Sequence, residues 1–254
     1  MLASLIAAGT AFILSFRHQF PLRIRKEERS RYFLKSVNLA LCYRGFAPNR
    51  SLVAARNAGV AAFYCCAYDV VTDWRGFDET YVLWFKNLVT RQLSPPLAAI
   101  AIGLYEQERR GALALDGLSR GIDALAFVSL LIGSNEHIRQ NMNFDHLGVV
   151  MQIVDDVLDL EDDQRLGEFN CLLTSPIRRT MHLQTLTAFD LNRFKSIFPH
   201  ARVLCAIIRS AQKKATRLLS TSAAALKEFP SINARPYQNI KHKQHAEITC
   251  DVSN

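Results

Sequence analysis

Met151–Gly167 reads MQIVDDVLDLEDDQRLG, and in it six acids (Asp155, Asp156, Asp159, Glu161, Asp162, Asp163) stand against one base, Arg165, in a chain whose net charge is +8. At helical pitch Asp155, Asp159 and Asp163 share one face, with Asp156 beside them. Like charges at that spacing cost an isolated helix roughly 0.2–0.5 kcal/mol per pair, so something must offset the repulsion. Divalent metal is the natural candidate, because magnesium takes carboxylate oxygens and completes its shell with water and phosphate. A solvated acidic helix end is the plain alternative. Against it, Met151, Ile153, Val154, Val157, Leu158 and Leu160 are interleaved with the acids, and a helix apolar on so much of its circumference belongs inside a bundle.

Outward from this stretch the chain predicts more helix. It has 254 residues, 49% of them hydrophobic, with only 11 Gly and 8 Pro. That composition fits one all-helical domain, residues 1–229, followed by an aperiodic and mobile tail, residues 230–254. Towards the amino terminus, Ser51 to Trp74 (SLVAARNAGVAAFYCCAYDVVTDW) is a small-residue helix that closes on Asp69 and Asp73, again four residues apart. A lone DxxxD pair is weak evidence; two, each closing a long apolar helix, are stronger. Further helices are predicted over Arg29–Gly45, Tyr81–Leu93, Leu97–Arg110, Asp116–Gly133 (with Arg120 and Asp123 as lone charges), Leu183–Phe198 and Arg202–Phe229.

Leu2 to Phe16 holds no charged side chain and is followed by Arg17, Arg23, Arg25, Lys26, Arg29 and Arg31. Fifteen helical residues reach about 23 Å, short of the roughly 30 Å of a bilayer core. The length favours a first core helix, set off by Pro21, over a peripheral membrane anchor whose basic flank meets anionic lipid. The six cysteines have no metal-ligand spacing and read as reduced, buried thiols of an intracellular protein. Dispersed basic residues without interleaved aromatics do not read as a nucleic-acid binder.

AAFYCCAYDVVTD resembles the first aspartate-rich motif of the squalene/phytoene synthase family, and MQIVDDVLDLEDDQRLGEF resembles its second. Asp155, Asp156 and Asp159 are also similar to the DDxxD motif of trans-prenyl diphosphate synthases and class I terpene synthases, and all these families share one all-helical isoprenoid-synthase fold around a central cavity. The similarity covers Ser30 to Phe169. It implies an enzyme that ionises an allylic prenyl diphosphate, with magnesium held by Asp69 and Asp73 on one wall and by Asp155, Asp156, Asp159 and Asp163 on the other. Asp69, Asp73, Asp155 and Asp159 are the implied catalytic set. Arg165, by motif register, and Arg50, Arg56 and Arg178, by position, are the candidate diphosphate clamps, and Phe63, Tyr64, Phe127, Met151 and Val154 the candidate cavity walls. Two departures favour a terpene cyclase over head-to-head prenyl coupling. Cys66-Ala67-Tyr68 stands where that family carries an arginine, and Phe169-Asn170-Cys171-Leu172 replaces its tyrosine- and proline-containing segment. The missing arginine is also compatible with a non-catalytic partner subunit of a synthase.

Overall fold

The computed structural model describes residues 2–17, 26–47, 51–69, 79–109, 118–166 and 170–228. Among them are eleven α-helices, one 3-10 turn and no strand. In chain order the helices are α1 (Leu2–Arg17), α2 (Lys26–Arg44), α3 (Leu52–Asp69), α4 (Glu79–Gln92), α5 (Pro95–Arg109) and α6 (Ser119–Ile132). They continue with α7 (Asn135–Asn141), α8 (Phe144–Leu166), the 3-10 turn Cys171–Leu173, α9 (Pro176–Ala188), α10 (Leu191–Ile197) and α11 (Arg202–Glu228). The chain is thus all-α. It clusters into a unit Met1–Leu219 and a second unit Ser220–Asn254, of which only the end of α11 is described. Pro21, Arg50, Asp73, Cys250 and the expected tail from residue 230 lie outside the described residues.

Two core clusters fill the first unit, and they are built from different residues. Around α1, α2 and α3 the interior is mostly alanine: Ala7, Ala11, Ala54, Ala58, Ala61 and Ala62 are buried. Small side chains let these helices pack backbone to backbone. Gly59 is the closest point, since a Cβ there would strike the Ala7 carbonyl and come within 2.7 Å of Thr10 Cβ. Around α8 to α11 the interior is instead large and branched, with Leu147, Ile153, Leu172, Leu183, Leu186 and Ile208 almost fully buried. Each such side chain contributes roughly 1.5–3 kcal/mol of hydrophobic stabilisation. Phe46, just past the end of α2, packs edge-on against Phe194 and Phe198 at 6.0 and 5.4 Å, so the α2 segment belongs to both clusters.

α6 joins the two halves, touching α3 and α5 on one side and α8 on the other. Gly121 and Gly148 make the α6–α8 approach: a Cβ on Gly121 would meet the Gly148 carbonyl, and one on Gly148 would sit 2.5 Å from Ile122 Cα. The helix stops at Gly133, whose φ of 77° lets the Ser134 N–H reach back to the Ser129 carbonyl at 2.8 Å.

One expectation fails. The periodic stretch Leu183–Phe198 is not a single helix, because α9 ends at Ala188 and α10 begins at Leu191. Asp190 is the cause: its carboxylate accepts the N–H groups of Asn192 and Arg193 at 3.0 Å each and so caps a new helix.

Candidate active site

An apolar cavity of about 560 Å³ lies among α2, α3, α6 and α8, within the range of small-molecule sites. Tyr43, Tyr64, Phe85, Phe127, Met151 and Val154 are among its walls, and its charged side is made by Lys35, Asp69, Arg120, Asp155 and Asp159. The two sequence motifs, about ninety residues apart, therefore meet on one cavity through Asp69 and the Asp155/Asp159 pair.

The two walls differ in electrostatics. Asp69, at the last turn of α3, is only 13% exposed and holds Lys35 Nζ at 2.8 Å and Arg120 Nη2 at 3.5 Å. Asp69 is the main reason that the Lys35 ammonium is held well above its usual pKa, with Asp155 adding to it. Arg120 also lies over the Tyr68 ring, 5.8 Å from its centroid. On the facing wall Asp155 and Asp159 are exposed, four residues apart on α8, and accept no hydrogen bond from the described residues. Crowding by protein atoms pushes Asp159 up to about 6, Asp155 adds to the rise and Lys35 opposes it. Two open carboxylates thus face a group of two cations already paired with Asp69.

Asp156 does something else. It is 5% exposed, absent from the cavity lining, and both its oxygens are taken: Gln152 Nε2 donates at 2.9 Å and the Cys171 N–H at 3.0 Å. Burial raises it to about 6 despite these donors. Asn170 completes the attachment, donating to the Asp156 carbonyl at 2.7 Å and to Asp163 at 2.8 Å while accepting the Leu172 N–H. The segment Asn170-Cys171-Leu172, a departure from the family pattern, is therefore the turn that fastens Asp156 and Asp163 away from the cavity.

The expected basic clamps are elsewhere. Arg165 is 67% exposed and pairs with Asp162 at 2.7 Å on the solvent side of α8, because it follows Asp162 by three residues. Arg56 and Arg178 are exposed on α3 and α9 and neither lines the cavity. Phe63 is fully buried, packed against Tyr64 at 5.2 Å, and is core rather than wall. Tyr64, Phe127, Met151 and Val154 do line the cavity. The cations that reach it, Lys35 and Arg120, have no role assigned by the sequence motifs. A signal existed for each: Arg120 is a lone cation on an apolar helix, and Lys35 shares a helical face with Leu39 and Cys42, which also line the cavity.

Burial pushes Cys42 up to about 11 and Cys65 to about 12, so both are protonated at neutral pH. The five described cysteines are all free thiols.

For magnesium the donor chemistry fits in part. Asp155 and Asp159 offer hard oxygens, open to solvent, and one or two carboxylates plus phosphate are a usual magnesium set. Asp69 is already neutralised by its cations, and no cluster of three or more acidic, histidine or cysteine side chains among the described residues is close enough to hold an ion by itself. Comparison with protein-family models, with curated proteins and with solved structures returns no match to this chain.

Proposed function

We propose that the chain is a magnesium-dependent isoprenoid synthase of the all-helical isoprenoid-synthase type, which ionises an allylic prenyl diphosphate in the manner of a class I terpene synthase. The observation that carries this reading is one apolar cavity with Asp155 and Asp159 open on one wall and the Lys35–Asp69–Arg120 group on the other. In this reading Asp155 and Asp159 hold magnesium, which when bound neutralises charge on the departing pyrophosphate. Lys35 and Arg120 take the diphosphate oxygens, exchanging one anionic partner for another. Tyr64, Phe85 and Phe127 enclose the hydrocarbon and keep water from the cation. The preference for a cyclase, which needs one diphosphate site, over head-to-head coupling, which needs two, rests on the departures at Cys66-Ala67-Tyr68 and Phe169-Asn170-Cys171-Leu172.

The neutralised Asp69 supports a second reading, a non-catalytic partner subunit that binds the diphosphate without turning it over. Incubation with allylic diphosphates of several chain lengths, with and without magnesium, separates the two. Magnesium-dependent pyrophosphate release with a hydrocarbon or alcohol product identified by mass is the expected result. A magnesium-independent rise in melting temperature with no product favours the second reading, and neither response removes both.

A further inference from the structure

α1 has two faces of different character. Ala7, Ala11 and Ser15 are buried against the bundle, and Ser15 Oγ donates to Ser36 Oγ at 3.1 Å. The exposed residues of α1 are Leu2, Leu5, Phe12, Ile13, Phe16 and Arg17, so all but the terminal one are large and apolar. Each of the five is at least 50% exposed. At 3.6 residues per turn they fall within roughly 100° of the helix circumference. Gly9 lies inside that stripe, with nothing within 4 Å of where its Cβ would be.

We propose that this stripe seats the protein on an anionic lipid surface. Charge selects the occupant. The stripe contains no charged side chain, Arg17 ends it, and residues 18–31 then add Arg23, Arg25, Lys26, Arg29 and Arg31 against only Glu27 and Glu28. An apolar helix face with a basic flank is the combination that anionic headgroups and acyl chains satisfy together. The bundle behind α1 takes the place of the polar face that a free amphipathic helix would carry. α1 lies along the surface rather than through it, since its 16 residues reach only about 24 Å and no described helix is long and apolar enough to cross a membrane.

The stripe touches α2 next to a residue that lines the cavity. Phe12 packs on Phe33 of α2 at 5.7 Å, the next residue, Leu34, is 63% exposed and lines the cavity, and Lys35 reaches Asp69. The seat itself does not depend on the proposed chemistry.

The test is flotation of the full chain with phosphatidylcholine vesicles, with and without phosphatidylserine, at low and high salt. Two variants accompany it: Leu5→Ser/Ile13→Ser/Phe16→Ser for the stripe and Arg23→Gln/Arg25→Gln for the flank. The protein is expected to float with the phosphatidylserine vesicles, and each variant to lower partitioning at least about tenfold. The stripe residues are exposed, so melting temperature should hold; if the triple variant fails to fold, Ile13→Ser alone and the salt dependence carry the comparison. No flotation, or flotation equal in neutral vesicles and in both variants, overturns the proposal. So does a dimer in solution that the stripe variant dissolves, because a second copy would then be the occupant.

Discussion

Asp69 and Asp159 come from motifs of the same DxxxD form and line the same cavity, yet one carboxylate is saturated and the other open. Asp69 is mostly buried between Lys35 and Arg120; Asp159 is exposed beside Asp155 with no hydrogen-bonding partner among the described residues. The acid residue type is common to both, and the neighbours set the chemistry. On α3 the carboxylate organises cations, which can be handed to a diphosphate. On α8 two like charges stand together at a cost that a divalent ion would reverse.

The largest effect should come from breaking the open wall. Asp155→Asn and Asp159→Asn keep volume and remove charge, and the fold should survive because neither side chain holds another element in place. Turnover should fall by about 10²–10⁴-fold, since the lost interaction grows as charge develops on the leaving group. The melting shift caused by magnesium with pyrophosphate should vanish with it. Steady-state kinetics and thermal melting read both; full activity in either variant would leave the open pair without its proposed role.

Asp156 sharpens the contrast, because it adjoins Asp155 in sequence and differs from it in burial, in hydrogen bonding and in its absence from the cavity wall. Its folded pKa of about 6 lies above the ordinary 3.8, so the folded chain binds the proton more tightly than the unfolded one. Between those two values the native state carries more protons, and stability from this group falls as pH rises through the window. A rise of that size is equivalent to something on the order of 3 kcal/mol for this buried group. Melting temperature should therefore rise on acidification from pH 7 to 5, with Asp159 acting in the same direction. Asp156→Asn should remove its share of that rise, leaving the part due to Asp159: the asparagine oxygen can still accept the Cys171 N–H, and Gln152 can rotate its amide to accept from the new NH2. A melting curve series between pH 5 and 7.5 decides it.

The closed wall should break more gently. Lys35→Met with Arg120→Met leaves Asp69 mostly buried without its two cations, at about 1–3 kcal/mol once the partial exposure of Lys35 is allowed for. The functional signature is separate from that loss. Pyrophosphate measured calorimetrically without magnesium should bind at least tenfold more weakly, by the strength of charge-assisted phosphate contacts. Affinity unchanged in the double variant would move the anion site away from these residues.

The two walls were unequally legible in the sequence. Asp155 and Asp159 are local: period four, on one helix. The all-helical class was legible for the same reason, being written in apolar periodicity and scarce Gly and Pro. Lys35 and Arg120 find Asp69 across 34 and 51 residues of chain, and no local pattern encodes such a meeting. Asp156 shows the opposite failure. It satisfies the DDxxD pattern, yet position 156 turns inward to Gln152 and Cys171, so adjacency in the motif says nothing about adjacency in the site. The break between α9 and α10 was written locally, as Asp190 two residues before Asn192, but the apolar period running through it hid the cap.

The smallest expected effect is the control on the helix that carries the open pair. Glu161 and Asp162 lie on the outer side of α8, 84% and 69% exposed at the side chain, and each has a basic neighbour: Lys214 at 3.2 Å for Glu161 and Arg165 at 2.7 Å for Asp162. Exposed pairs of this kind are worth about 0–1 kcal/mol, and removing either acid also relieves its repulsion with the rest of the acidic run. The two contributions oppose one another, so Glu161→Gln and Asp162→Asn should each move stability by no more than about 0.5 kcal/mol in either direction. Lys214 keeps a second anchor, donating to the Leu158 carbonyl at 3.3 Å, so α8 and α11 should not separate when Glu161 is lost. Turnover and the magnesium-dependent melting shift should both be retained, because neither carboxylate lines the cavity. If instead Glu161→Gln and Asp162→Asn lost the magnesium response as Asp155→Asn and Asp159→Asn do, the ion would be answering to the summed charge of an acidic helix end, and the distinction between Asp159 and its neighbours would disappear.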